Sequence, residues 1–253
     1  MIRFAASLSW LFQEIDFIDR FRIAAEQGFQ GVEIQRPYEY DPVLIAEQLV
    51  KYNLEAVLIN TPEPLAAIPD EETNFRESML KAISYADAIS CTKIHCVAGV
   101  TDSPLANETY LSNLQWAGEI ASDHSINILI EPLNTFDNPG YFLSRSDHAM
   151  NVIREINMPN VRLQFDCYHL QIMEGNLEHN IRQFIDDIDH FQIAGVPGRF
   201  EPDQKQEIDY SRIFELIDEL GYSGWIGCEY RPGTTTTEGL HWGSQFGLGI
   251  KTN

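Results

Sequence analysis

The chain has 253 residues, 44% hydrophobic and 22% charged, enough apolar material for one large core and too much for a disordered tail. Seventeen Lys and Arg face 38 Asp and Glu, a formal charge of −21. Such an excess of acid repels nucleic-acid phosphates and anionic membrane surfaces, and no run approaches the roughly 18 apolar residues of a spanning helix.

The N-terminal MIRFAASLSW soon meets Gln13, Glu14 and Asp16, with no secretion-signal core or cleavage site, so a cytoplasmic protein is expected. Apolar, β-branched runs then recur at 2–6, 31–34, 54–59, 93–98, 127–131, 161–166, 190–194 and 225–229. Amphipathic stretches separate them. Phe17, Ile18, Phe21, Ala24 and Ala25 keep helical spacing, and Met79, Ala82, Ile83 and Ala86 share one face of 75–89. Segments 111–121, 181–188 and 213–220 read the same way, and Gly28 and Gly221 stand where helices should stop. Eight strand–helix units of about 32 residues predict parallel strands with helical crossovers, closed as a single (β/α)8 TIM barrel over 1–253. An open dinucleotide-binding sheet is disfavoured, because Ala6-Ser7-Leu8-Ser9 follows the first strand where a Gly-rich turn would stand. Stretches 61–70, 99–105 and the Gly-Thr run from Gly233 are expected to be long loops on the active face, and 243–253 a loosely held tail. The four cysteines, Cys91, Cys96, Cys167 and Cys228, sit in or beside apolar runs without a C-x-x-C pair and read as buried thiols.

Strands buried on both faces should be apolar throughout, yet the last four run into polar residues: Glu131, Asp166, Gln192 and Glu229. Strand C-termini ring one mouth of a barrel, so these four, from consecutive units, should converge. Three carboxylates and an amide oxygen form a hard donor set suited to Mg²⁺ or Mn²⁺ and less to Zn²⁺. Without a cation they would repel one another. His169, three residues after Asp166, should stand above this site. His95 in the fourth strand, Asn60 at the end of the third and Arg199 on the loop after Gln192 are candidate contacts to substrate oxygens. Trp10, Phe12 and Tyr38 fit either the mouth or the core.

ILIEPLN, LQFDCYH, FQIAGVPGR and GWIGCEYRP, with RFAASLSWLF, Gly28 to Tyr38 and KIHCVAG, resemble the hydroxypyruvate isomerase family among the sugar isomerase/epimerase barrels. The likeness runs in order along nearly the whole chain. It implies a TIM barrel, a divalent metal, and aldose–ketose chemistry on a small hydroxy-carbonyl acid. Metal ligation carries over onto Glu131, Asp166, Gln192 and Glu229, and proton transfer onto Glu131 and Glu229. The related epimerases place a His where this chain has Gln192, which favours the isomerase branch, and the −21 charge counts against the endonuclease branch. Hydroxypyruvate or a 2-oxo-tetronate is the expected substrate, unphosphorylated because no phosphate cradle is present. A ketose 3-epimerase and a non-catalytic sugar-acid binding protein are the rivals. The expected partner is the small hydroxy-keto acid, with no nucleic acid and no membrane; a homo-oligomer is compatible with this reading.

Overall fold

The computed structural model describes residues 2–203 and 205–250. Eight parallel strands pair in chain order: β1 (Arg3–Ser7), β2 (Gly31–Ile34), β3 (Glu55–Asn60), β4 (Lys93–His95), β5 (Asn127–Ile130), β6 (Val161–Asp166), β7 (Ile188–Ile193) and β8 (Trp225–Cys228). β8 pairs with β1 and closes the expected TIM barrel. Around it lie α1 (Phe17–Glu26), α2 (Pro42–Tyr52), α3 (Glu72–Ala88), α4 (Ala106–Ser122), α5 (Ser146–Ile156), α6 (Cys167–Met173), α7 (Leu177–Phe184) and α8 (Tyr210–Glu219). A helical turn, α9 (Thr236–Gly239), leads into a 3₁₀ segment, Leu240–Phe246.

Local chemistry sets the boundaries. Asp41 caps α2 by accepting from Val43 N–H, Pro42 supplies a fixed φ in the first turn, and Asn53 ends the helix in the left-handed region. Thr235 and Glu238 form a capping box at α9. The ladder hydrogen bonds of the barrel satisfy the strands, while the helices bury their apolar faces against its outside. Inside the foot of the barrel, Ala5, Val57, Leu58, Leu129 and Trp225 form a small separate cluster.

Several boundaries differ from expectation, and the helices expected at 75–89, 111–121 and 213–220 each begin three to five residues earlier. The fourth strand stops at His95, because Val97 N–H donates to Thr61 Oγ1 and Ala98 N–H to Tyr141 Oη instead of to a neighbouring strand. The helix expected at 181–188 is shifted to Leu177–Phe184, and the seventh strand starts at Ile188 instead of 190. The tail expected to be loose from 243 is docked as far as it is described. Leu248 is buried, Phe246 packs on Phe4 and Phe214, and Gly249 N–H donates to Gln27 O. Tail residues 251–253 lie outside the described residues. All four cysteines are free and buried, as their apolar surroundings predicted.

Candidate functional site

Alternation along the strands builds the site. Asn127, Leu129 and Glu131; Gln164 and Asp166; His190 and Gln192; Gly227 and Glu229 are each spaced by two, so they share the interior face. Their upper members converge at the C-terminal mouth, where Glu131, Asp166, Gln192 and Glu229 are all at most 4% exposed.

Gln192 lies at the centre. Its Nε2 donates to Glu229 Oε2 at 2.5 Å and Glu33 Oε2 at 3.1 Å, and its Oε1 accepts from Gln164 Nε2 at 2.7 Å. Gln164 Nε2 also donates to Glu131 Oε2 at 2.9 Å. Glu229 Oε1 accepts from Gln35 Nε2 at 2.8 Å and from Arg199 Nη2 at 2.5 Å. Arg199 is thus held over the carboxylates, with Nη2 3.8 Å from Asp166 Oδ2. Its guanidinium stacks on Trp10 at 4.3 Å and on Tyr168 at 5.0 Å.

Asp166 ends β6 and caps α6. Its Oδ1 accepts from Tyr168 N–H at 2.7 Å, which leaves the buried Oδ2 without a hydrogen-bond partner. Burial raises the pKa values of Glu131, Asp166 and Glu229 alike. Repulsion from Glu229 and Asp166 pushes Glu131 further up, while Arg199 pulls all three down.

The two histidines differ. Asn134 Oδ1 accepts from Phe136 and Asp137 N–H, which fixes its amide and aims Nδ2 at Asp137 Oδ2 and at His169 Nδ1. The backbone N–H of Asn134 donates to the same Nδ1 at 3.1 Å. With Nδ1 doubly an acceptor, and burial holding the ring neutral, the proton resides on Nε2. Nε2 lies 3.6 Å from Asp166 Oδ2 and is a donor into the site. Glu131, Asp166 and His169 stand close enough to hold an ion, although with its proton on Nε2 His169 turns a donor and not a lone pair toward Asp166. His95 Nδ1 approaches Glu131 Oε2 at 3.2 Å without hydrogen-bond alignment, and neither ring nitrogen has a partner. Burial lowers its pKa to about 3, so it is neutral. Asn60 stands next to His95 in the strand register, half-buried at the rim; among the described residues its side chain joins none of these hydrogen bonds.

The expected residues therefore converge, apart from the rim position of Asn60. Sequence reading passed over Glu33, Gln35, Gln164 and His190. The available signal was polar residues two places before the strand-end acids and inside the second strand. Phe12 belongs to the core against Phe29, and Tyr38 donates to Asn60 O. A surface cavity of about 880 Å³ lies elsewhere, between Tyr210, Trp242 and the loop after β7.

The side chains fit a divalent cation. Three buried carboxylates, Glu131, Asp166 and Glu229, gather about the Arg199 guanidinium with a fourth, Glu33, behind Gln192, and the buried Asp166 Oδ2 has no hydrogen-bond partner. Oxygens from Glu131, Asp166, Gln192 and Glu229 make the hard donor set that Mg²⁺ or Mn²⁺ takes.

Comparison with known proteins gives a family. The model of the xylose isomerase-like TIM barrel family matches residues 21–246. A 2-oxo-tetronate isomerase of Cupriavidus necator is 42% identical, with 96% of this chain and 97% of that protein covered. The hydroxypyruvate isomerase of Escherichia coli is 41% identical, with 96% and 98% covered. A crystal structure named AP endonuclease, family 2, from Brucella melitensis superposes with a TM-score of 0.95 at 40% identity, with 97% of this chain and 99% of that chain covered.

Proposed function

We propose that this chain, which belongs to the xylose isomerase-like TIM barrel family, uses a divalent cation, Mg²⁺ or Mn²⁺, to interconvert the aldose and ketose forms of a small unphosphorylated hydroxy-keto acid. The chain is an isomerase, as its curated relatives at about 40% identity are. The reading here is hydroxypyruvate to tartronate semialdehyde, or a 2-oxo-tetronate to its 3-oxo isomer, through an enediol. The observation that carries it is the pair Glu131 and Glu229, both buried beside the unpartnered Asp166 Oδ2 under the donors His169 Nε2 and Arg199.

The difficult step removes a proton from carbon next to a carbonyl. Bound at the Glu131–Asp166–Gln192–Glu229 oxygens, a divalent cation supplies Lewis-acid polarisation of the carbonyl and hydroxyl oxygens, several kcal/mol as a typical contribution. A positioned carboxylate acting as base contributes about 10²–10⁴-fold. Glu229 is held by three donors, from Gln35, Arg199 and Gln192, and so has a fixed direction. Glu131 accepts from Gln164 through Oε2. One glutamate, ionised, takes the proton from carbon and the other, protonated, gives one to the adjacent carbon, while the hydroxyl proton passes from the first carbon's oxygen to the second's; the two glutamates end with exchanged protonation and are reset by proton exchange with solvent. His169 Nε2–H and the Arg199 guanidinium hold substrate oxygens as negative charge develops on them. Arg199 also offers a counter-charge to the substrate carboxylate, in a chain whose net charge of −21 would otherwise repel an anion. The same acidity disfavours a nucleic-acid substrate. We place the enzyme in the cytoplasm; no helix among the described residues is long and apolar enough to cross a membrane.

The test is NMR in D₂O of the Mg²⁺-loaded protein with hydroxypyruvate, 2-oxo-tetronates and free ketoses. The expected result is deuterium incorporation with conversion of one of the acids. Turnover confined to C3-inverted ketoses would establish a 3-epimerase instead, and binding without exchange would establish a non-catalytic sensor.

A further inference from the structure

Behind the three mouth carboxylates lies a fourth buried carboxylate, which contacts none of the residues expected to hold substrate. Glu33 on β2 is 1% exposed inside the barrel. Its Oε1 pairs with His190 Nε2 and its Oε2 accepts from Gln192 Nε2 at 3.1 Å. A buried acid in a parallel strand is costly, so a reason is needed.

Three independent features converge on it. The β2–β3 register shifts between Val32 and Glu33, and the β6–β7 register shifts between Leu163 and Gln164. Such irregularities re-aim the side chain that follows. The two re-aimed residues are the ones that grip the Gln192 amide from opposite ends, Glu33 at Nε2 and Gln164 at Oε1. Finally, Gly227 leaves the space that Glu33 fills, for a Cβ there would stand 1.8 Å from Glu33 Oε1.

An amide has two faces that differ only in which end is the donor. Gln192 can serve a cation only through its oxygen, and in the structure Nε2 lies against Glu229 and Glu33 while Oε1 is turned the other way, toward Gln164 and Glu131. Glu229 takes one N–H and Glu33 the other, so with Glu33 in place a reversed amide would set its oxygen against two carboxylates instead of one. We propose that Glu33 is a positioning residue that, resting on the cation reading above, fixes the amide sense of Gln192 so that Oε1 is presented with Glu131, Asp166 and Glu229 to the divalent cation. Gln at 33 would offer both a donor and an acceptor, and so would permit the reversed amide.

The experiment is Mn²⁺ affinity, read from free Mn²⁺ by electron paramagnetic resonance, in wild type, Glu33→Gln, Gln192→Ala and the double variant. Wild type should bind. Glu33→Gln should weaken binding by about 10–100-fold, the usual range for loss of a group that orients a ligand. In the Gln192→Ala background the same change should alter affinity less than about 2-fold, since Glu33 acts through the amide. Gly227→Ala, which leaves Glu33 chemically intact but displaces it, should weaken Mn²⁺ binding in the same direction. Equal losses in both backgrounds, or wild-type affinity in a folded Glu33→Gln protein, would overturn the positioning role while leaving the cation reading intact. Failure of wild type to bind Mn²⁺ would remove both.

Discussion

The two ends of the barrel interior treat charge differently. At the foot, Lys93 Nζ lies 3.0 Å from Asp189 Oδ1, Asn127 Nδ2 donates to Asp189 Oδ2 at 2.9 Å, and Arg3 stacks on Trp225 at 4.3 Å. Cation and anion are matched there, with the remaining lone pairs satisfied. At the mouth, Glu131, Asp166 and Glu229 gather about Arg199, the deeper Glu33 has only the neutral His190 and the Gln192 amide, and Asp166 Oδ2 and both nitrogens of His95 lack hydrogen-bond partners. A matched end closes the barrel. An unmatched end has two ways to relieve its buried acids, by protonating them or by taking in a cation, and the raised pKa values of Glu131, Asp166 and Glu229 show how strongly burial disfavours their charge.

The sharpest way to break this contrast is chelation. EDTA should reduce isomerisation to background, and Mg²⁺ or Mn²⁺ should restore it. Turnover that survives exhaustive chelation would mean the mouth needs no cation. Next in size, Glu229→Gln should lower kcat by about 10²–10⁴-fold while the circular dichroism spectrum stays native. Near-normal turnover in that variant, loaded with metal, would remove Glu229 as a proton-transfer group. The foot should respond in the opposite sense. Lys93→Met leaves Asp189 without its cation and should cost about 1–3 kcal/mol in urea unfolding with kcat preserved. A kcat loss there without a stability loss would erase the distinction between the two ends.

The smallest effect concerns pH. Burial raises the Glu33 pKa from its ordinary 4.5 to about 8. The folded chain therefore holds that proton more tightly than the unfolded one. Its stabilising contribution is complete below about pH 4.5 and is lost as pH rises to about 8. In metal-free protein the thermal midpoint should fall across that window, and Mg²⁺ should flatten the slope by favouring the charged mouth carboxylates. A midpoint that rises with pH in the chelated protein would contradict the burial argument.

Much of this was legible beforehand for identifiable reasons. Glu131, Asp166, Gln192 and Glu229 stood out because a polar residue at the end of an apolar strand breaks a simple pattern. Arg199 and His169 were reachable because loops after strand ends ring the same mouth. Glu33 and Gln164 show in the sequence only as polar residues inside strands, and the direction each takes depends on two local register shifts that the sequence does not display. The docked tail was missed because Gly-rich composition suggests looseness, whereas Phe246 and Leu248 find an aromatic groove made by Phe4, Phe214 and Trp242.

By itself, then, the order of residues determined the eight strand–helix units, their parallel closure and the identity of the acids at one mouth, since periodicity and burial are local properties that composition records. Only the tertiary structure decided how those acids are arranged: which way the Gln192 amide is turned, which nitrogen of His169 bears the proton, and that Arg199 stands among three carboxylates. Those outcomes depend on hydrogen-bond partners up to 159 residues away along the chain, and distance in space is not written in distance along the sequence.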